Sequence, residues 1–75
     1  MSQPGSASNV ELGLKLARMG KWQEAAAAYR EALRLDPRNA EAMTNLGFVY
    51  YEMGLDEEAR QAIAEAETLR ASLEK

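Results

Sequence analysis

Cysteine and histidine are both absent from this 75-residue sequence, and their absence removes whole classes of chemistry. Without cysteine there is no disulfide framework, no thiolate metal site and no thiol nucleophile. Without histidine the sequence lacks the most frequent zinc ligand and the most frequent general base. Acidic residues such as Glu57, Glu58, Glu65 and Glu67 fall on a predicted helix surface, where carboxylates more often serve solvation than acid–base catalysis. We therefore expect no enzyme activity, no metal and no other cofactor.

Long apolar runs and clusters of basic residues are also missing. No run approaches the roughly 20 apolar residues that a membrane-spanning helix needs, and Met1–Ser8 has neither the basic nor the apolar region of a secretion signal. A cytoplasmic location is therefore expected. The net charge is −3 and the Lys and Arg residues are dispersed, which disfavours nucleic acids and anionic membranes as partners.

Glycine and proline are few, and they fall where helices would end. Gly20 and Gly54 follow apolar stretches of helical spacing, and Pro37 interrupts a third such stretch. Ser8-x-x-Glu11 has the spacing of a capping box at a helix start. These features predict four helices, at about 9–19, 22–35, 40–53 and 56–73. Residues 1–7 are rich in small and polar residues and are expected to form a flexible tail, so that the domain spans residues 8–75.

The chain contains an internal repeat with a fixed offset of 34 residues. The recurring positions are Leu12-Gly13 and Leu46-Gly47, Gly20 and Gly54, Glu24-Ala25 and Glu58-Ala59, Ala32 and Ala66, and Leu35 and Leu69. A period of this size is typical of stacked supersecondary units rather than of one irregular core. Stacked helix pairs present an extended surface, so the repeat indicates a binding role rather than catalysis.

These residues resemble the tetratricopeptide repeat, a 34-residue helix-turn-helix unit. The resemblance implies an all-α solenoid of two helical hairpins with an extended last helix, repeat one covering about 6–39 and repeat two about 40–73. Three positions depart from the family pattern: Asn9 replaces a bulky residue, Leu16 replaces an aromatic one, and the closing Pro37 has no counterpart at Ala71.

In that family the first helix of each pair lines a concave groove. Carried over to this sequence, the resemblance implies a peptide-binding groove on the first and third helices. Its positions are Ala7, Val10, Leu14, Ala17 and Arg18 on the first helix, and Glu41, Thr44, Asn45, Phe48, Tyr51 and Glu52 on the third.

The third helix carries more apolar side chains than one packing face can bury. Phe48-Val49-Tyr50-Tyr51 places large residues on two sides of a helix, and surplus apolar surface in a small domain often marks a contact site. We expect a protein or peptide partner that contributes an apolar strip or a helix. Phe48, Tyr51 and Leu14 would supply most of the contact energy. Arg18, Asn45 and Glu52 would orient the ligand.

Some members of the family grip a C-terminal carboxylate of heat-shock chaperones with Lys, Asn and Arg. The first-repeat Lys and Asn of that clamp fall here on Val10 and Leu14, whose side chains cannot donate a hydrogen bond. The second-repeat Asn matches Asn45, and the other basic residues belong to a third repeat, outside the two found here. The carboxylate clamp is therefore disfavoured.

Self-association into a homodimer is the alternative function. The spacing of three and four residues along the last helix is that of a heptad seam, formed by Ala59, Ala62, Ala66, Leu69 and Leu73. Equally, the three alanines would pack against the third helix and leave only Leu69 and Leu73 for contact with a second copy. Two repeats bury a small core, and domains of this size often gain stability by oligomerising.

Overall fold

A computed structural model describes residues 4–73 of the chain, and this range is folded into four α-helices joined by short turns. They are α1 (Pro4–Arg18), α2 (Trp22–Leu35), α3 (Ala40–Glu52) and α4 (Asp56–Leu73). Each helix packs on the next along the chain, and α1 also touches α3. The architecture is the all-α stack of two helical hairpins that the sequence predicts. Of these four helices, none is both long enough and apolar enough to cross a membrane.

The predicted bounds of α2 and α4 are confirmed, and α3 ends one residue early because Met53 is its C-cap. Gly20 and Gly54 follow α1 and α3 with φ of 75° and 78°. In this left-handed region a side chain would be strained, so glycine is the residue that allows each hairpin to turn. At the opposite end of α3, the Asn39 side chain accepts a hydrogen bond from the Ala42 N–H at 3.0 Å and caps the helix.

The start of α1 differs from the prediction. The helix begins at Pro4 rather than near Asn9, so the predicted flexible tail is wrong for residues 4–7, while residues 1–3 lie outside the described range. Ser8 lies inside the helix, and the capping-box pattern therefore does not mark its first turn. Proline suits a helix start, because its missing N–H would have no partner in the first turn.

Tertiary contacts explain this early start. Gly5 lies so close to α2 that an added Cβ would sit 2.9 Å from the Leu35 Cδ1 atom. The next residue, Ser6, is buried and donates a hydrogen bond from Oγ to the Ala32 carbonyl oxygen at 3.1 Å. The same Oγ accepts a hydrogen bond from the Asn39 Nδ2 group at 3.1 Å. Residues that look like a tail in the sequence are thus held against the end of α2.

The two helices of each hairpin cross at a glycine of the first helix. A Cβ on Gly13 would lie 2.5 Å from the Tyr29 ring, and one on Gly47 would lie 2.6 Å from the Ile63 side chain. These pairs are related by the 34-residue repeat, so the same close approach is made twice. Without a Cβ at the crossing, the large side chain of the second helix can pack directly on the backbone of the first.

The core lies between the two hairpins and is built mostly from small residues. Its buried members are Val10, Ala25, Ala26, Tyr29, Ala32, Ala42, Leu46 and Val49. Tyr29 is the one large side chain among the described residues that is almost completely buried. In the second hairpin, Ala59, Ala62 and Ala66 are buried on α4, whose only helix neighbour in the described range is α3. The alanines of the possible heptad seam are therefore occupied by packing within the chain.

Candidate functional site

A shallow groove runs beside α1 and α3 and encloses about 450 Å³. We call it the α1–α3 groove and define it by its lining residues: Leu14, Ala17, Trp22, Tyr29, Asn45, Phe48, Val49, Tyr51 and Glu52. Most of these side chains are apolar or aromatic, and Glu52 is the one that carries a charge. Such a surface is suited to an apolar ligand with a few directed polar contacts.

The exposed walls of the groove come from the aromatic residues of α3. This helix lies between α2 and α4, and these contacts bury Leu46 and Val49 to 6% and 3% exposure. Phe48 and Tyr51 point away from that packing and are 57% and 45% exposed. The structure therefore bears out the expectation that α3 has more large apolar side chains than its neighbours can cover.

Six of the predicted groove residues line the observed groove, namely Leu14, Ala17, Asn45, Phe48, Tyr51 and Glu52. Arg18 and Glu41 are exposed and do not contribute to this lining, and neither does the exposed Ala7. The structure thus brings together the three residues expected to dominate binding, Leu14, Phe48 and Tyr51. Of the three expected to orient a ligand, it places Asn45 and Glu52 in the groove.

The prediction that Val10 lines the groove is wrong. Its side chain is 5% exposed and belongs to the core, so it is not available to a ligand. The equivalent position in the second repeat, Thr44, is half-buried, and its Oγ1 atom has no hydrogen-bond partner among the described residues. Both side chains point more toward the packing between helices than toward solvent. The helical positions one turn away, such as Leu14 and Phe48, form the accessible surface instead.

Sequence reasoning missed Trp22, Tyr29 and Val49, which also line the groove. Tyr29 and Val49 are core residues whose surfaces form the groove floor. Trp22 is half-buried at the first position of α2, two residues after the turn glycine. A tight turn at Gly20 returns the chain to the end of α1. The short distance in sequence between Gly20 and Trp22 therefore indicates that Trp22 lies near Ala17, and both residues line the groove.

Two opposite charges act on the floor of the groove. The pKa of the Tyr29 hydroxyl is raised above its ordinary value, chiefly because burial disfavours the phenolate. The Glu41 carboxylate raises this pKa further, whereas the Arg18 guanidinium lowers it. The predicted groove residues Arg18 and Glu41 are thus near enough to influence the site electrostatically without lining it. Tyr29 remains neutral near pH 7, as a groove floor for an apolar ligand requires.

No group in the described residues suggests metal chemistry. Across residues 4–73, no three acidic side chains converge in a way that could hold a metal ion. The arrangement of the groove offers apolar area, one amide at Asn45 and one carboxylate at Glu52. These groups can bind and orient a polypeptide.

The second candidate surface lies at the end of α4. Leu69 lines a cavity together with Pro37, Met43 and Thr68, and Leu73 is 50% exposed. Since the seam alanines are buried against α3, only these two leucines of the five seam positions remain accessible. This cavity encloses about 480 Å³, similar to the α1–α3 groove, but no aromatic side chain of the described residues lines it.

Comparison with known protein families agrees with the helical stack. A family described as "TPR repeat" matches residues 13–54, and one described as "Tetratricopeptide repeat" matches residues 40–73. A search of curated proteins found no match to the chain. The first match covers 42 of the 75 residues, which is more than half of the chain, and the two matches together cover residues 13–73. The chain belongs to the tetratricopeptide repeat family.

Proposed function

We propose that the chain binds a partner polypeptide by accepting an apolar strip, either extended or helical, in the α1–α3 groove. Tetratricopeptide repeats are in general protein–protein interaction modules, and the groove of this one is lined by four aromatic side chains, Trp22, Tyr29, Phe48 and Tyr51. The observation that carries the proposal is the exposure of Phe48 and Tyr51, neighbours on one face of α3, in a groove that the buried Tyr29 and Val49 also line. We expect no catalytic activity in addition to binding.

The energy of binding comes mainly from covering the exposed aromatic rings. Burial of apolar surface stabilises a complex by about 25 cal/mol per Å², and aromatic residues give large contact areas with little loss of side-chain freedom. Trp22, Phe48 and Tyr51 supply these rings in the groove. The Asn45 amide can both donate to and accept from a ligand backbone. Glu52 and the nearby Arg18 favour a ligand with opposite charges at the matching ends.

A display library of random 12-residue peptides, selected against the unmodified protein, supplies ligands for a direct test. We expect Phe48→Ala or Tyr51→Ala to weaken the selected peptides at least about thirtyfold, since a residue that dominates an interface contributes about 2 kcal/mol or more. Isothermal titration calorimetry measures the affinity. Circular dichroism should show unchanged melting, because both side chains are largely exposed.

Leu12→Ala is the matched control for this test. Leu12 is a large apolar residue with 48% exposure, similar to Tyr51, but it lies outside the groove. Its removal should leave unchanged the affinity of every peptide that Phe48→Ala weakens. Equal affinity for the unmodified protein and for Phe48→Ala would show that ligands bind elsewhere. Unfolding of either groove variant would show that the aromatic rings serve the core instead.

Self-association is the second candidate function, and the exposed Leu73 beside the half-buried Leu69 favours it. Sedimentation equilibrium over a hundredfold concentration range distinguishes the two candidates. A monomer throughout leaves peptide binding as the function. A dimer that Leu69→Ser and Leu73→Ser dissociate, while Phe48→Ala does not, would identify the chain as an assembly unit.

A further inference from the structure

A second apolar surface lies on α1, on the side that faces away from α2. We call it the α1 outer face and define it by Asn9, Leu12, Lys15, Leu16 and Met19. Leu12 is 48% exposed and Met19 is 64% exposed. In the described part of the chain, α1 contacts only α2 and α3, so no helix covers this face.

The second repeat shows how such a face is covered. The residues 34 positions later lie on α3 and its C-cap, and they are Met43, Leu46, Val49, Tyr50 and Met53. There α2 covers the surface, which leaves Leu46 and Val49 buried.

Three contacts fix how α2 lies on α3. Trp22 lies beside Met53 at one end, and Leu33 lies beside Met43 and Leu46 at the other. Between them the Arg30 Nη1 group donates a hydrogen bond to the Tyr50 hydroxyl at 3.2 Å. The two helices therefore run antiparallel. The same set of repeat positions is therefore covered by α2 on α3 and covered by no described helix on α1.

The last helix of a second copy does not fit the α1 outer face in this way. The repeat replaces Trp22, Ala26 and Leu33 of α2 with Asp56, Arg60 and Glu67 of α4. Stacked in the same geometry, Asp56 would lie on Met19 and Glu67 on Leu12. Placing carboxylates against apolar side chains removes their water without providing a partner, which is costly.

The centre of such a contact would also be unfavourable. Arg60 takes the place of Ala26, and Lys15 takes the place of Val49, and both of those residues are buried core members in the interface between α2 and α3. Two cations would therefore enter one desolvated region, where like charges repel strongly. The α1 outer face therefore suits an apolar helix, whereas the α4 surface that corresponds to the contact surface of α2 is charged.

We propose that the α1 outer face docks an amphipathic helix from another polypeptide, packed antiparallel to α1 as α2 is packed on α3. The chemistry of that helix follows from the residues that cover α3. It carries an aromatic residue, a small residue four positions later and a leucine seven positions after that, as in Trp22, Ala26 and Leu33. An acidic residue near the small one pairs with Lys15. This interaction is separate from ligand binding in the α1–α3 groove.

A fluorescently labelled peptide copying residues 21–36 is the first probe, because it carries the α2 surface itself. We expect it to bind the unmodified protein at least about tenfold more tightly than a control peptide with Ala26→Arg and Leu33→Glu, a difference within the range of single interface residues. Fluorescence anisotropy measures both. Leu12→Glu in the protein should remove the difference, and Phe48→Ala should preserve it. Equal binding of the two peptides, or loss of binding in Phe48→Ala alone, would overturn the proposal.

A second test uses the whole chain and does not depend on the helicity of a short peptide. Asp56→Trp, Arg60→Ala and Glu67→Leu together give α4 the surface of α2. We expect this triple variant to assemble head to tail into open chains, since such heterologous contacts do not close. Adding Leu12→Glu should return it to monomers. Sedimentation velocity measures size, and circular dichroism verifies that every variant is helical.

Two results of this second experiment would contradict the proposal. A folded triple variant that stays monomeric would show that the α1 outer face does not accept an α2-like helix. Assembly that persists with Leu12→Glu would show that other surfaces are responsible. In the unmodified chain, a dimer that Leu12→Glu dissociates would make a second copy the occupant and overturn the assignment of a separate polypeptide.

Discussion

Leu12 and Leu46 occupy the same position in the two repeats, yet one is 48% exposed and the other 6%. Both leucines also precede a glycine at which the next helix crosses, Gly13 and Gly47. The difference comes from the neighbour: α2 covers Leu46, and no described helix covers Leu12. In a repeat protein, the position of a unit in the stack therefore decides burial, and the repeat pattern alone does not.

The crossings of the two hairpins differ in a second way. Gly13 faces the ring of Tyr29, which is 1% exposed and fixed by the core. Gly47 faces the half-buried Ile63 on α4, a helix that packs only on α3 in the described range, whereas α2 is held by both α1 and α3. The same close approach is therefore rigid in the first repeat and adaptable in the second.

Truncating the two leucines tests the first difference and should give the largest effect. We expect Leu46→Ala to lower the free energy of unfolding by about 2–5 kcal/mol, because it leaves a cavity in the core. Leu12→Ala should change it by less than about 0.5 kcal/mol, as is usual for exposed positions. Urea denaturation followed by circular dichroism measures both. Similar losses for the two variants would mean that Leu12 is covered in solution.

Adding a methyl group at the two crossings tests the second difference. Overpacking a rigid core site costs about 1–3 kcal/mol, and alanine returns about 1 kcal/mol through its helix propensity. Gly13→Ala should therefore lower the free energy of unfolding by up to about 2 kcal/mol, because the Tyr29 ring cannot move aside. Gly47→Ala should cost less, since α4 packs only on α3 in the described range and can move away together with Ile63. If Gly47→Ala proves the more harmful, the Ala59 carbonyl oxygen, 3.3 Å from an added Cβ, is the constraint.

The smallest expected effect concerns Ser6, whose counterpart in the second repeat is Ala40. Ser6→Ala makes the two repeats alike at this position and leaves the Asn39 Nδ2 group without its acceptor. We expect a loss of about 1 kcal/mol, typical of one partly buried hydrogen bond. Thr68→Ala is the control, because its exposed hydroxyl bonds only to Ala64 within α4. Equal decreases in the melting temperature of Ser6→Ala and Thr68→Ala would show that the Ser6 hydrogen bonds stabilise the fold no more than an exposed hydroxyl does.

Much of the fold followed from the sequence because local features and tertiary packing agree there. Trp22–Leu35 begins after a left-handed glycine and ends before Pro37, and both limits were predicted. Residues 4–7 were misread because their composition suggests a tail. The contact between Gly5 and Leu35 and the hydrogen bond from Ser6 to Ala32 join residues far apart in the chain, and local patterns do not reveal them.

The groove was predicted in outline for a similar reason. Helical spacing separates Phe48 and Tyr51 from the buried side of α3, and the structure places both in the groove lining. Val10 was assigned to the groove because it lies only about 40° around α1 from Leu14, which does line the groove. Which of the two is buried depends on how closely α2 approaches α1 at Gly13. Spacing fixes which residues share a face of one helix. It does not fix where a neighbouring helix stops covering that face.

The Ser6–Asn39 contact has a consequence for how the molecule unfolds. Asn39 caps α3 through Oδ1 and donates to Ser6 through Nδ2, and Ser6 in turn donates to the last turn of α2. Three helix ends therefore share one chain of hydrogen bonds. The stability of a repeat protein is approximately the sum of the stability of each repeat and of the interfaces between neighbouring repeats. These hydrogen bonds join the two hairpins and therefore add to the interface part of that sum. Amide hydrogen exchange should then report a common opening for the start of α1 and the start of α3, so that the pair of hairpins behaves as a single cooperative unit.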